Sequence, residues 1–158
     1  MSARIIVRVR RESDTAELAE IFRRSVREVA SRDYHPAQIE AWVQVADENA
    51  AWSERLSARQ VWVAERDGRV AGFIQLDPPD HIDLTYVHPA YQRQGVATAL
   101  LATVEAAARV NGVRALHLEA SITSRPFFAA RGFETITPQL VSVGGQEFLN
   151  FRMTKSLV

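Results

Sequence analysis

A change from a strand pattern to a helix pattern within residues 82–108 is the feature that most restricts how this chain folds. Apolar residues lead up to Val87 as in a strand, and Pro89 ends that strand. Beyond Gly95 the apolar residues recur at helical spacing, at Val96, Leu100, Leu101, Val104 and Ala108. The sequence therefore predicts a strand that turns directly into a helix.

The turn between that strand and that helix is rich in hydrogen-bond donors and small residues. It holds Gln92, Arg93, Gln94, Gly95 and Ala97. Small residues let another molecule approach the backbone closely, and a helix start presents unpaired N–H groups and the positive end of the helix dipole. The turn therefore predicts an anion site, most often for phosphate. The alternative is an ordinary connection in which Gly95 only eases the turn.

The composition narrows the class of protein. A chain of 158 residues is long enough for one domain with a real core and short for two, so we expect a single domain over residues 1–158. Lys and Arg balance Asp and Glu, 19 against 19, which gives no field that would attract nucleic acid or a membrane, and we expect neither as a partner. With no cysteine, a thiolate nucleophile is excluded. No run of residues suits a signal peptide or a membrane span, which predicts a cytoplasmic protein. We expect a monomer or a homodimer.

The other patterns predict the element order β α α β β β α β α β β. Strands are expected at residues 5–10, 61–65, 70–76, 82–87, 115–120, 133–137 and 146–155, and helices at 14–32, 36–45, 96–108 and 124–131, with a short helix and loop in 47–60. Antiparallel strands come first, one parallel strand-helix-strand crossover follows, and a hairpin closes the chain. This order predicts an α+β fold with a mixed, mostly antiparallel central sheet and flanking helices.

One string of residues resembles a known family signature. Gln92-x-x-Gly95-x-Ala97, preceded by Val87-x-Pro89 and followed by Thr98-Ala99-Leu100-Leu101, is similar to the acyl-CoA motif of the Gcn5-related N-acetyltransferases (GNAT), which is Arg or Gln-x-x-Gly-x-Gly or Ala. The predicted element order is also that of the family, so the resemblance covers nearly the whole chain. It implies a GNAT-type fold and acetyl-CoA as cofactor.

The resemblance also implies how acetyl-CoA is held. A bulge in the fourth strand, matching Tyr86 and Val87, is expected to pair its main chain with pantetheine, and the amides from Arg93 to Thr98 are expected to hold the pyrophosphate. The fourth and fifth strands are expected to splay apart and let the thioester reach the amine. The implied cofactor-binding residues are Tyr86, Val87, Gln92, Arg93, Gln94, Gly95, Val96, Ala97, Thr98, Ser121 and Phe128.

Two positions depart from the family pattern. Members often have an asparagine just after the fifth strand and a tyrosine in the next helix, and the tyrosine protonates the departing thiolate. Here Ser121 matches the asparagine and Phe128 the tyrosine. Phe128 has no proton to donate, so that role is unfilled, is taken by another group, or is not needed.

Other residues are candidates for proton transfer. Asp83 lies on the fourth strand, where the family commonly places a carboxylate base, although a strand-end aspartate equally fits a solvated edge or a helix cap. Tyr86 and His117, on the two strands that flank the expected gap, are the nearest candidates for the acid. Packing on the sheet explains Tyr86 equally well, and an ordinary strand histidine explains His117.

The resemblance places amine specificity in the segment between the first two strands and in the closing hairpin. Tyr34 and His35 are the predicted substrate-binding residues there, with His117 as a third. Trp42 shares a helical face with Ile39 and is expected in the core. Four histidines without regular spacing do not predict a metal site.

Three functions remain open from the sequence. The first is an acetyl-CoA-dependent N-acetyltransferase that moves the acetyl group directly to a primary amine of a small molecule or peptide. The second, suggested by Phe128, is a non-catalytic acyl-CoA-binding sensor or regulatory module. The third uses the turn for another phosphorylated ligand.

Overall fold

A seven-stranded sheet with helices on both faces forms the framework of the molecule. The computed structural model describes residues 4–158. The strands are β1 (Ile5–Val9), β2 (Gln60–Arg66), β3 (Arg69–Asp77), β4 (His81–Val87), β5 (Ala115–Ser121), β6 (Glu134–Val143) and β7 (Gln146–Ser156). The α-helices are α1 (Thr15–Glu28), α2 (Pro36–Val43), α3 (Asn49–Ser57), α4 (Val96–Val110) and α5 (Arg125–Ala129).

The strand order is β1-β2-β3-β4-β5-β7-β6. Neighbouring strands are antiparallel except for β4 and β5, which are parallel and are connected through α4. This mixed sheet confirms the predicted α+β class. The single-domain prediction spans residues 1–158, and its first three residues lie outside the described part of the chain.

Each face of the sheet has its own hydrophobic core. On one face α1, α2 and α3 bury a cluster that includes Leu18, Phe22 and Trp52. On the other face α4 and α5 bury a cluster that includes Leu100 and Phe128. In both α1 and α4 the buried residues recur every three or four positions, so one side of each helix faces the sheet.

The two parallel strands separate soon after they meet. Their paired residues are His81 with His117 and Ile82 with Leu118. Beyond these two pairs, within residues 4–158, the strands have no further pairing, so the rest of β4 and of β5 diverge. The splay implied by the family resemblance is therefore present.

The bulge in β4 lies earlier than we predicted. Ile74 of β3 opposes Thr85, whereas Leu76 opposes Ile82, so β4 holds one extra residue at Asp83–Leu84 rather than at Tyr86 and Val87. The bulge lets Asp83 and Leu84 both face α1–α3, where Leu84 joins the core.

Two other elements differ from their predicted bounds. The predicted strand at 133–137 extends to Val143, because β6 continues to pair with β7 along its whole length. In the sequence, Pro138 argues against a strand that continues beyond residue 137. The structure tolerates it because β6 is an edge strand and needs no N–H on its outer side. The helix predicted over 14–32 ends at Glu28 and continues as a 3-10 turn over Ala30–Arg32.

No helix within residues 4–158 is both long and apolar enough to cross a bilayer.

Candidate active site

A cavity of about 1330 Å³ opens where β4 and β5 separate. It passes from the amino-terminal end of α4, on one face of the sheet, to the α1–α2 segment and the β6–β7 hairpin on the other. Its lining includes Tyr34, Trp42, Asp83, Tyr86, Val87, Gln92, Arg93, Gly95, Val96, Ala97, Thr98, Glu119, Ser121, Phe128, Arg131, Phe148 and Asn150. Such a passage brings a ligand on the α4 face within reach of a ligand on the α1 face.

The turn before α4 presents a row of free backbone donors. Within the described chain, the N–H groups from Arg93 to Thr98 donate to no acceptor, and the first helical bond is from Ala99 to the carbonyl of Gly95. Two left-handed residues shape this row, Arg93 with φ of 59° and Gly95 with φ of 88°. Glycine adopts that conformation without strain. The row forms a cradle for an anion at a helix start.

The two glutamines of the turn act differently from the backbone. The side-chain amide of Gln92 donates to the carbonyl oxygen of Val87 at 2.9 Å and so fixes the turn to the end of β4. The amide of Gln94 donates to the carbonyl oxygen of Ala90 at 3.2 Å and does not line the cavity. Both brace the cradle, and their roles as direct cofactor ligands stay predictions.

Arg131 is a cation beside the cradle that the sequence analysis did not select. Its Nε and Nη2 donate to the hydroxyl oxygen of Thr98 at 3.1 and 2.9 Å, and its guanidinium lies 3.9 Å from the ring centre of Phe127. These contacts hold a positive charge next to the free amides. In the sequence, Arg131 begins the run Arg131-Gly132-Phe133, which resembles the family pattern after the tyrosine position and would have pointed to it.

The turn from β5 into α5 is closed by two serines. The hydroxyls of Ser121 and Ser124 lie 3.0 Å apart, and each also accepts from the other residue's backbone N–H. Phe128, one helical turn further, is only 3% exposed and packs edge-on against Phe127 and Phe133. At the position where the family has its tyrosine, this chain therefore presents an apolar ring to the cavity.

Tyr86, near the end of β4, is one of the tyrosines that line the passage. Its half-buried ring packs against Phe22 at 4.8 Å and against Phe73 at 5.9 Å between ring centres. Burial raises the pKa of Tyr86 to about 12, so the hydroxyl keeps its proton at neutral pH. A protonated phenol is able to donate a proton, and the catalytic role of Tyr86 stays a prediction.

Asp83 lines the cavity but is tied to two arginines of the α3 region. Its carboxylate pairs closely with Nη1 of Arg59, and Nη2 of Arg55 lies 3.5 Å from both oxygens. The side chain is 18% exposed. Protonating this carboxylate would weaken both ion pairs, which disfavours the predicted role of Asp83 as a base. That role is untested and stays a prediction.

Tyr34 and Trp42 line the cavity on the side of the α1–α2 segment. The hydroxyl of Tyr34 donates to the carbonyl oxygen of Leu149 at 2.6 Å and accepts from the N–H of Ile122 at 3.0 Å, and burial raises its pKa. Tyr34 therefore connects the α1–α2 segment to the end of β5. Trp42, expected in the core, is only half-buried and contributes to the lining of the cavity.

The two predicted substrate histidines lie outside the cavity. The Nδ1 atom of His35 accepts from the N–H of Gln38 and caps α2, which explains an exposed histidine before Pro36. His117 is exposed, and its Nε2 lies 3.1 Å from a carboxylate oxygen of Asp80. Neither is among the residues that line the passage. In the described part of the chain, no group of three or more His, Asp or Glu side chains is arranged for a metal ion.

Comparisons with known proteins agree with this geometry. Residues 30–155 match the family model of the acetyltransferase (GNAT) domain. The chain is similar to the uncharacterized N-acetyltransferase YafP of Escherichia coli strain K12, with 39% identity over 149 residues that cover 94% of each protein.

Solved structures show the same likeness. The crystal structure of a GCN5-related N-acetyltransferase of Rhodopseudomonas palustris has a TM-score of 0.95 and 36% identity, and the match covers 99% of this chain and 98% of that one. The PaiA N-acetyltransferase of Thermoplasma acidophilum, solved in complex with coenzyme A, shares the fold with a TM-score of 0.77 and 20% identity over 97% of this chain and 99% of that one. This chain therefore belongs to the Gcn5-related N-acetyltransferase family and is an N-acetyltransferase.

Proposed function

We propose that this protein transfers the acetyl group of acetyl-CoA directly to a primary amine of a small molecule or peptide. The observation that carries the proposal is the passage between β4 and β5, which has free backbone donors at one end and aromatic walls at the other. With no cysteine in the chain, no thiol is present to carry the acetyl group between the two sites.

The residues on the α4 side fit acetyl-CoA. The six N–H groups from Arg93 to Thr98 suit a pyrophosphate, because they are unused and lie at the positive end of a helix dipole. Arg131 adds a full positive charge beside them. The side of β4 that turns away from β3 is unpaired after Ile82 in the described chain, which leaves main-chain groups for the pantetheine amides.

The residues on the α1 side form the acceptor end. Tyr34, Trp42 and Phe148 pack against one another with ring centres 5.4–5.9 Å apart and make a rigid wall. Asp83 and Glu119 bring carboxylates to the same cavity. The Asp83 carboxylate is already paired with Arg55 and Arg59, whereas Glu119 forms no ion pair with an arginine in the described chain and suits a protonated amine.

Two carboxylates and one phenol are then available for proton transfer. Either Asp83 or Glu119 takes a proton from the amine, and Tyr86 supplies one to the departing thiolate. Phe128 has no proton to give, so Tyr86 takes the role of its family counterpart.

Tyr86→Phe should lower kcat by roughly 100-fold, the usual contribution of a general acid, with little change in the KM for acetyl-CoA. Initial rates of CoA release test this. Because burial raises the pKa of Tyr86 to about 12, its ionisation should cause no loss of wild-type activity well below that pH. A variant with raised KM and unchanged kcat would assign Tyr86 to binding instead.

The proposal as a whole is tested by binding and turnover. Calorimetry should show acetyl-CoA binding and no comparable binding of ATP. CoA should then be released on addition of at least one member of a panel of butylamine, 2-phenylethylamine, spermidine, an amino acid amide and a short peptide with a free amino terminus. Tight binding without turnover of any amine would favour a regulatory acyl-CoA-binding module, as Phe128 suggests. Failure of acetyl-CoA to bind would contradict both.

A further inference from the structure

A second carboxylate, that of Glu119, faces the cavity where the two parallel strands separate. Glu119 directly follows Leu118, the last β5 residue paired with β4. Leu118 and Ala120 are buried on the α4 face, so Glu119 points to the opposite face, where the acceptor end lies. Its side chain is 40% exposed and lines the passage.

A histidine of β4 holds this carboxylate. The Oε2 atom of Glu119 lies 2.6 Å from Nε2 of His81, and Nδ1 of His81 lies 3.6 Å from a carboxylate oxygen of Asp77. The ring of His81 stacks on that of His117 with centres 4.9 Å apart, and His117 contacts Asp80. The imidazole of His81 therefore lies between Glu119, which lines the cavity, and Asp77, which does not.

Glu119 is better suited than Asp83 to accept a proton. Two guanidinium groups occupy the carboxylate of Asp83. Among residues 4–158, Glu119 forms an ion pair with no arginine or lysine, and Arg152, opposite it on β7, is not within pairing distance. Its partner is an imidazole, whose second ring nitrogen lies on the side of Asp77. Protonation of Glu119 therefore breaks no ion pair with a guanidinium group, and the proton can move on to His81.

We propose that Glu119 is the general base that deprotonates the acceptor amine. His81 is a positioning residue that orients the carboxylate and passes the proton toward Asp77 and solvent. This assignment rests on the proposed function.

The proton and electron count of the step is balanced. The ammonium gives one proton to Glu119, and the freed nitrogen lone pair forms the C–N bond to the acetyl carbon. The C–S bond breaks and its electron pair stays on sulfur, which takes a proton from Tyr86. The second proton that the nitrogen loses returns to the oxygen of Tyr86. The products are the amide, free CoA and one proton, which leaves through His81.

Two acceptor amines, one protonated and one neutral at pH 7, show whether the reaction needs a base. The first is the panel alkylamine R–CH2–NH2 that the wild-type protein acetylates fastest, which is protonated at neutral pH. The second is its isostere R–O–NH2, which is already neutral and needs no deprotonation. Glu119→Gln should slow the alkylamine reaction roughly 100-fold and change the alkoxyamine reaction by less than about threefold. His81→Leu should show the same selectivity with a smaller loss. Glu134→Gln, an exposed strand carboxylate away from the cavity, is the matched control and should change neither rate.

Several results would overturn the assignment. Equal losses on both acceptors in Glu119→Gln would make Glu119 a structural residue, and unchanged rates would remove it from the reaction. A selective alkylamine loss in Asp83→Asn, with none in Glu119→Gln, would make Asp83 the base. If the wild-type protein binds acetyl-CoA yet turns over no amine of the panel, the proposed function itself fails and the role of Glu119 fails with it.

Discussion

Ala97→Asp should weaken acetyl-CoA binding roughly 100-fold while it leaves the fold intact. Ala97 lies in the first turn of α4 and lines the cavity beside the free amides. A carboxylate about 5 Å from a phosphate at the effective dielectric of a protein surface costs about 3 kcal/mol, which is roughly 100-fold in affinity. The same charge favours a helix start, so the melting temperature should stay unchanged or rise slightly. Calorimetry with acetyl-CoA and thermal unfolding measure the two effects separately.

The matched control is Ala97→Asn, which has nearly the same shape and no charge. It should bind acetyl-CoA within about tenfold of the wild type, since only the repulsion is removed. Equal losses of affinity in the two variants would show that bulk at this position, rather than charge, blocks the site. Unchanged affinity in Ala97→Asp would place the phosphates elsewhere.

Gly72→Ala should have the largest effect on the fold. A Cβ at Gly72 would lie 2.8 Å from the carbonyl oxygen of Tyr86, 3.1 Å from Cγ1 of Val96 and 3.3 Å from Cα of Val87. Two of these atoms belong to the backbone of β4 and have no rotamer by which to move away. We expect a loss of about 1–3 kcal/mol in the free energy of unfolding, and a melting temperature lower by about 3–10 °C for a chain of this size.

The clash should also reach the active site. Gly72 lies on β3, where it faces the end of β4 and Val96, the first residue of α4. Relief of the clash would therefore displace the edge of β4 and the cradle together. Acetyl-CoA affinity should therefore fall as well. Gly68→Asn is the control, because a Cβ there meets no atom within 4 Å and asparagine tolerates a positive φ. A Gly72→Ala protein as stable as the wild type would mean that β4 shifts at no cost.

The backbone shape of the turn before α4 could be predicted from the sequence, whereas the ion pairs of Asp83 could not. Gly95 and Ala97 could be interpreted from the local sequence, because a left-handed turn before a helix start restricts the residue type over a few positions. Asp83 shows the limit of such reasoning. Its position on β4 fits a base, but its partners Arg55 and Arg59 lie 28 and 24 residues earlier in the chain, and no local pattern predicts that they meet.

On the α1–α2 side, the cavity lining was predicted only in outline. The segment between β1 and β2 and the β6–β7 hairpin do line the cavity, whereas His35 and His117 do not. His117 and Glu119 lie on the same side of β5, and only the point at which β4 separates from β5 decides which of them faces the passage. Trp42, expected in the core from its helical face, does pack against the core, and it also lines the cavity.

By itself, the sequence determined the element order, the α+β class and the anion cradle of this N-acetyltransferase. These features depend on apolar periodicity and on backbone sterics, which act over a few residues. The tertiary structure alone decided where β4 bulges, how far β6 extends, which carboxylate is left free of arginine and which side chains reach the passage. Those outcomes depend on contacts between residues far apart in the chain, whose free energy exists only once the sheet has brought them together.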